Sequence, residues 1–145
     1  MKNSFEEYLL SIGIKDLFLT RAMNVIEFYK KHITDNVDDI FVTDYLDEQN
    51  VRHYDNLWLF NKTYCMEAKQ FLLQDDYDIT PLTKKLKYIS INKQDYDFIK
   101  ATSKSRMIIR ITTDNSVRGE FKSSQENCDY LRDIYIDILK NNLLI

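Results

Sequence analysis

The strongest constraint on the fold lies between Arg106 and Lys140, where the sequence spells a β-hairpin followed by an amphipathic helix. Met107 to Thr113 is rich in β-branched residues, and Val117 to Lys122 alternates apolar with polar. Asp114, Asn115 and Ser116 between them are turn formers. Register decides the loop. A two-residue loop pairs Thr113 with Ser116 and sets Val117, Gly119 and Phe121 on the side of Arg110 and Thr112. A three-residue loop pairs Thr113 with Val117 and brings Ile109 and Ile111 onto one face with Gly119 and Phe121. The second arrangement buries more apolar surface and is the one expected.

Ser123 stands three residues before Glu126, the spacing of a capping box, so a helix is expected to start there. At about 100° per residue, Cys128, Leu131, Ile134, Tyr135, Ile138 and Leu139 share one arc, and Asp129, Asp133, Asp137 and Lys140 lie opposite. That helix must bury its apolar arc, and the hairpin supplies the nearest apolar surface.

A chain of 145 residues suits one domain that buries its core without disulfides or metal. With 44% hydrophobic and 30% charged residues it reads as soluble and globular. A net charge of -3 gives no electrostatic footprint for duplex nucleic acid, so no nucleic-acid partner is expected. Cys65 and Cys128 match no metal-ligand spacing and read as reduced thiols. The start lacks a signal-peptide core and no apolar run reaches membrane-span length, which points to the cytoplasm and to no membrane partner. Two glycines and one proline leave most turns to Asn, Asp and Ser.

Two helices are expected first. One runs from Ser4, capped through Glu7, to Ile12 with Gly13 as its stop. The other runs from about Asp16 to His32, with Phe18, Ala22, Val25, Ile26, Tyr29 and Ile33 on one side. Strands are expected at Ile40 to Leu46, Val51 to Phe60, Thr63 to Gln70, Tyr77 to Leu82 and Leu86 to Phe98, ahead of the hairpin pair. In the third, Tyr64, Met66 and Ala68 are expected inward and Cys65, Glu67 and Lys69 outward. Pro81 places the fourth at an edge or ends it there. Without βαβ alternation the sheet is expected to be antiparallel. The fold class is therefore α+β: a seven-stranded bent antiparallel sheet or partly open barrel, capped by the C-terminal helix. Residues 1–35 form a helical arm and 36–145 the sheet with its helix.

Asn56 to Glu67, Ile79 to Leu82, Leu86 to Ile91, Ile109 to Phe121 and the helix through Asn127 to Leu131 follow in an order that resembles bacterial pleckstrin-homology-like domains, over residues 38–142. The resemblance implies a bent antiparallel barrel or sandwich plugged by its last helix, serving as a non-catalytic module for phosphoinositides or peptides. Lipid-binding members carry a basic first loop. Here that loop is acidic, Asp47-Glu48-Gln49-Asn50, which argues against lipid.

For chemistry, Glu67-Ala68-Lys69, with Asp55 upstream, resembles the core of restriction-endonuclease-like nucleases, in which two carboxylates hold Mg²⁺ and the lysine attends the phosphate. Simple strand alternation instead turns Glu67 and Lys69 outward without a common target. His32 and His53 have no nucleophile or second ligand at useful spacing. No glycine-rich phosphate loop is present. Lys84, Lys85, Lys87, Lys100, Lys104, Arg106 and Arg110 are either a solvated face or a receiver for an acidic group, and the Asp129, Asp133 and Asp137 stripe is its acidic counterpart. Tyr45, Tyr54, Tyr77 and Tyr130 are candidates for exposed interface aromatics. The reading that follows is a binding module for a protein partner, with Tyr130, Asp129, Asp133, Asp137, Lys100, Lys104 and Arg106 as contact residues and no cofactor. The helical arm is a second surface, open to another copy of the chain. A nuclease built on Asp55, Glu67 and Lys69, and an immunity-type or inhibitor protein that occludes a basic enzyme, are the alternatives.

Overall fold

The computed structural model describes residues 4–34, 36–61, 64–81, 86–93, 107–113, 116–124 and 127–139. Helices α1 (Phe5–Ser11) and α2 (Asp16–His32) precede seven strands: β1 (Asp39–Leu46), β2 (Arg52–Phe60), β3 (Tyr64–Ala68), β4 (Tyr77–Pro81), β5 (Leu86–Lys93), β6 (Met107–Thr113) and β7 (Ser116–Ser123). Helix α3 (Cys128–Ile134) follows and continues into a π-helical turn, Tyr135–Leu139. The part of the fifth expected strand beyond Lys93, the loop after it and Glu126 lie outside the described residues.

All strand pairs are antiparallel, but they form two sheets, β1-β2-β3-β4 and β5-β6-β7, rather than one continuous bent sheet. Among the described residues no pairing closes them into a barrel. The physical reason is visible in β2, where Leu57, Trp58, Leu59 and Phe60 are all buried. A strand covered on both faces needs a layer on each side. On one side α2 lays Ala22, Val25, Ile26 and Tyr29 into the core, and Phe28 stacks on Tyr77 of β4 with ring centroids 4.7 Å apart. On the other, Trp58 meets Phe121 of β7 at 4.3 Å. The two N-terminal helices thus pack on the first sheet and share its apolar core.

Burial on both faces also corrects the expected pattern of β3, since Cys65 is as buried as Met66 while Tyr64 is only half-buried. In α2 the buried stripe begins at Ala22; Phe18, expected inward, is 55% exposed. Helix α1 starts as expected, with Ser4 Oγ accepting the Glu7 N–H at 3.2 Å, and Gly13 follows it at φ +93°.

The hairpin differs from expectation in its loop and agrees in its face. Thr113 pairs with Ser116 across a two-residue loop, yet Ile109 faces Phe121 and Ile111 faces Gly119. A bulge between Ile111 and Thr112 inserts one extra residue, at 118, and switches the register back. Burying Ile109, Ile111, Gly119 and Phe121 decides the outcome, and the bulge achieves it. Gly119 is required there: a Cβ would lie 3.0 Å from Trp58 and 3.1 Å from Ile111.

The last helix does not start at Ser123, and the Glu126 half of the expected capping box lies outside the described residues. Ser123 is the buried last residue of β7, and α3 starts at Cys128 behind Asn127. The expected apolar face is otherwise present, with Leu131, Ile134, Ile138 and Leu139 buried against β1 and β7.

Candidate partner-binding surface

The two long edges of the first sheet are finished differently, and the difference defines the candidate site. At the β1 edge, side chains take the outward backbone groups. Tyr8 Oη of α1 accepts the Val42 N–H at 3.0 Å, Asn127 Nδ2 donates to the Val42 carbonyl at 2.6 Å, and Asp39 Oδ1 accepts the Ile40 N–H at 2.8 Å. Tyr8 also donates to Asn127 Oδ1 at 2.9 Å, and burial pushes its hydroxyl well above the ordinary phenol range.

Beside this seal lies Asp44, fully buried, accepting from Ser124 N and Ser124 Oγ at 2.7 Å each and from Asn127 Nδ2 at 3.1 Å. Arg52 Nε stands 3.4 Å away, and Arg52 Nη1 donates to the Ile12 carbonyl. Burial raises the Asp44 pKa, against the opposing pull of these donors and of Arg52. A bulge between Val42 and Asp44 aims the carboxylate at the start of α3. These groups fasten α1, β1, β2 and α3 to one another, and none of the carboxylate is accessible to solvent. Their role is structural.

Among the described residues the β4 edge has no such seal. Lys69 N–H donates to the Asp76 carbonyl at 2.8 Å, directly in register with the β3–β4 pairing. By antiparallel alternation, Asp78 turns its backbone groups toward β3, and Tyr77 and Ile79 turn theirs outward. No described residue takes them, and no described strand pairs beyond β4. Tyr77 and Ile79 lie on the α2 face of the sheet, opposite Ala68 and Met66. Ile79 is 45% and Phe28 37% exposed, so the apolar layer between α2 and the sheet runs out into solvent at this edge. Tyr77 also donates to Asp75 at 2.8 Å; burial and this carboxylate push its phenol up to about 12.

The other face of the edge carries charge. Lys69 Nζ is 2.6 Å from Asp78 Oδ2, Arg21 Nη2 is 2.8 Å from Asp75 Oδ1, and Asp76 is exposed. Glu67 lies opposite Asp78 and accepts from Asn56 Nδ2 at 2.8 Å. Burial raises its pKa, the charge of Lys69 opposes the rise, and repulsion from Asp78 and Asp76 adds to it. Each cation here is matched, and the carboxylates outnumber them.

Of the residues proposed for a nuclease, Asp55 stands in β2, Glu67 in β3 and Lys69 just after β3. Asp55 lies in the bulge of β2, its pKa raised by burial and lowered by nearby Lys122 and His53, while Glu67 and Lys69 are engaged by Asn56 and Asp78. Among the described residues no group of three or more His, Cys, Asp or Glu side chains is placed to hold a metal. His53 binds Asp47 at 2.8 Å and stacks on Tyr45; the hydrogen bond lowers the Asp47 pKa.

Of the expected contact residues, Asp129, Tyr130, Asp133 and Asp137 lie along α3 and its π-helical turn. Tyr130 is half-buried with its ring 4.4 Å from that of Tyr8, Asp129 is exposed beside Arg132, Asp133 is half-buried and Asp137 is exposed. Lys100, Lys104 and Arg106 lie outside the described residues. Arg110 pairs with Glu120 at 2.6 Å, and Tyr54 donates to the Ile12 carbonyl at 2.5 Å. Of the four candidate tyrosines only Tyr77 belongs to the β4 edge. Phe28 and Ile79 were missed, although Pro81 had marked β4 as an edge. Among the described residues no helix is long and apolar enough to cross a membrane. No protein family, curated protein or solved structure matches the chain.

Proposed function

We propose that this protein is a non-catalytic binding module that recognises a protein partner, built on a pleckstrin-homology-like frame. The division into four and three antiparallel strands, with a last helix against β1 and β7, supports that frame. The observation that carries the function is the unsealed β4 edge, where Phe28, Tyr77 and Ile79 emerge beside a net acidic strand face. Exposed aromatic and aliphatic side chains at one place are the usual anchors of an interface. Of the residues of the nuclease alternative, Glu67 accepts from Asn56 and Lys69 pairs with Asp78.

The acidic face favours a basic partner, which fits the related reading of an inhibitor that occludes a basic enzyme. The test is affinity capture followed by reconstitution with the purified partner and calorimetric titration of wild type against Phe28→Ser. Truncating an anchor is expected to weaken binding by about 2 kcal/mol, roughly thirtyfold. Mg²⁺- or Mn²⁺-dependent cleavage of nucleic acid that vanishes in a folded Glu67→Gln variant would replace the module with the nuclease.

A further inference from the structure

We infer that the β4 edge receives an extended peptide segment as a fifth strand of the first sheet, and that the segment alternates apolar with basic residues. The inference rests on the binding-module reading and names the mode of contact and the chemistry of the partner. Three features lead to it. The outward N–H and C=O groups of Tyr77 and Ile79 are set for a further antiparallel or parallel ladder, whereas at the opposite edge Tyr8, Asn127 and Asp39 occupy the corresponding groups. A strand laid there turns alternate side chains to the α2 face, where exposed Ile79 and Phe28 offer apolar contact. Its remaining side chains turn to the face of Asp78 and Glu67, flanked by Asp76, where like charge is already crowded. Lysine or arginine at those positions relieves the repulsion and acid residues add to it.

A second copy of this chain does not fit the same edge. Antiparallel β4–β4 pairing about a two-fold axis that sets Tyr77 opposite Ile79 places the two Asp78 side chains face to face. Shifting the axis to Ile79 brings Tyr77 opposite Pro81, which has no N–H to donate. Centring the axis on Tyr77 sets Asp78 opposite Asp76, like charge against like, so the occupant is a heterologous segment.

The experiment uses the full chain and two blocked heptapeptides, one alternating valine with lysine and one alternating valine with glutamate. Nuclear magnetic resonance reads amide hydrogen exchange along β4. With the valine–lysine peptide at ten times its Kd, exchange at Tyr77 and Ile79 is expected to slow about elevenfold, while Asp78, already turned to β3, gains much less. The valine–glutamate peptide is expected to leave all three unchanged. N-methylation of the peptide amides that face the edge is expected to abolish the effect, and N-methylation of the alternate amides to preserve it. Asp76→Lys, at an exposed position, is expected to weaken the valine–lysine peptide. Equal response to both peptides, indifference to the N-methyl register, or shifts confined to another surface would overturn the inference. Should a purified protein partner bind with undiminished affinity to Ile79→Lys, strand addition falls while the binding-module reading stands.

Discussion

The Asn127 side chain is the most exposed point of the structural argument to mutation, because one amide serves three chain segments. It accepts from Tyr8 Oη, donates to the Val42 carbonyl and donates to Asp44 Oδ1, and the residue is fully buried. Asn127→Ala removes all three bonds. At a net value of about 1 kcal/mol each, the loss is about 3 kcal/mol, before any penalty for leaving the Val42 carbonyl unpaired. With a urea m-value of about 2 kcal/mol/M, the denaturation midpoint should fall by about 1.5 M at unchanged slope. Asn127→Asp is the sharper test. It replaces the donating nitrogen with an oxygen, 3.1 Å from the carboxylate that it now contacts. Two charges so close repel by about 5 kcal/mol at an effective dielectric constant near 20, a large part of a total stability of about 5 to 15 kcal/mol. Sharing a proton relieves the pair, so the folded-state pKa rises above its unfolded value of about 4. Stability of the variant is then greatest below that value and is lost as the pH rises through the raised pKa. Urea titrations of both variants and wild type from acid to neutral pH decide it. An Asn127→Asp protein as stable as wild type at neutral pH would refute the placement of this amide against Asp44.

Three further outcomes are expected. Leu131→Asp should lower the urea midpoint far more than Asp129→Ala, because a buried leucine is worth about 2 to 5 kcal/mol and an exposed i,i+3 ion pair under about 0.5. Gly119→Ala should cost about 1 to 3 kcal/mol by overpacking against Trp58 and Ile111, read as a drop in melting temperature; a neutral substitution would mean that the two sheets stand further apart. His53→Ala should make acid unfolding less steep. The His53 hydrogen bond depresses the Asp47 pKa, so its stabilisation is present above the unfolded value of about 4 and is lost as pH falls through the folded one. Identical acid limbs for wild type and variant would dismiss the contact.

Local pattern carried much of the fold. The Ser4 cap, the stop at Gly13, the extent of α2 and the order of seven strands follow from residue types and periods that act within a few positions. Even where the hairpin loop differed, the buried face of Ile109, Ile111, Gly119 and Phe121 was legible, because hydrophobic burial outweighs loop preference and a bulge reconciles the two. Ser123 shows the limit. Its spacing to Glu126 suits a cap, but the Asp44 carboxylate, eighty positions away, takes Ser124 through two hydrogen bonds and holds the chain in strand conformation up to Ser123.

The candidate site was legible only in part, for a related reason. Pro81 announced an edge and Tyr77 an available aromatic, yet Phe28 reaches Tyr77 from another element, which no spacing along one segment foretells. Sequence by itself determined which segments form helices and strands and the apolar faces of the hairpin and of α3, since those properties arise from spacing along one chain segment. Tertiary structure alone decided that β2 is covered on both faces and that Asp44 is held inside. It likewise decided that one sheet edge is sealed by side chains while, among the described residues, the other is not. Each of these depends on which distant surfaces meet, and a buried polar group or backbone donor is satisfied only by whatever the folded chain brings within about 3 Å of it.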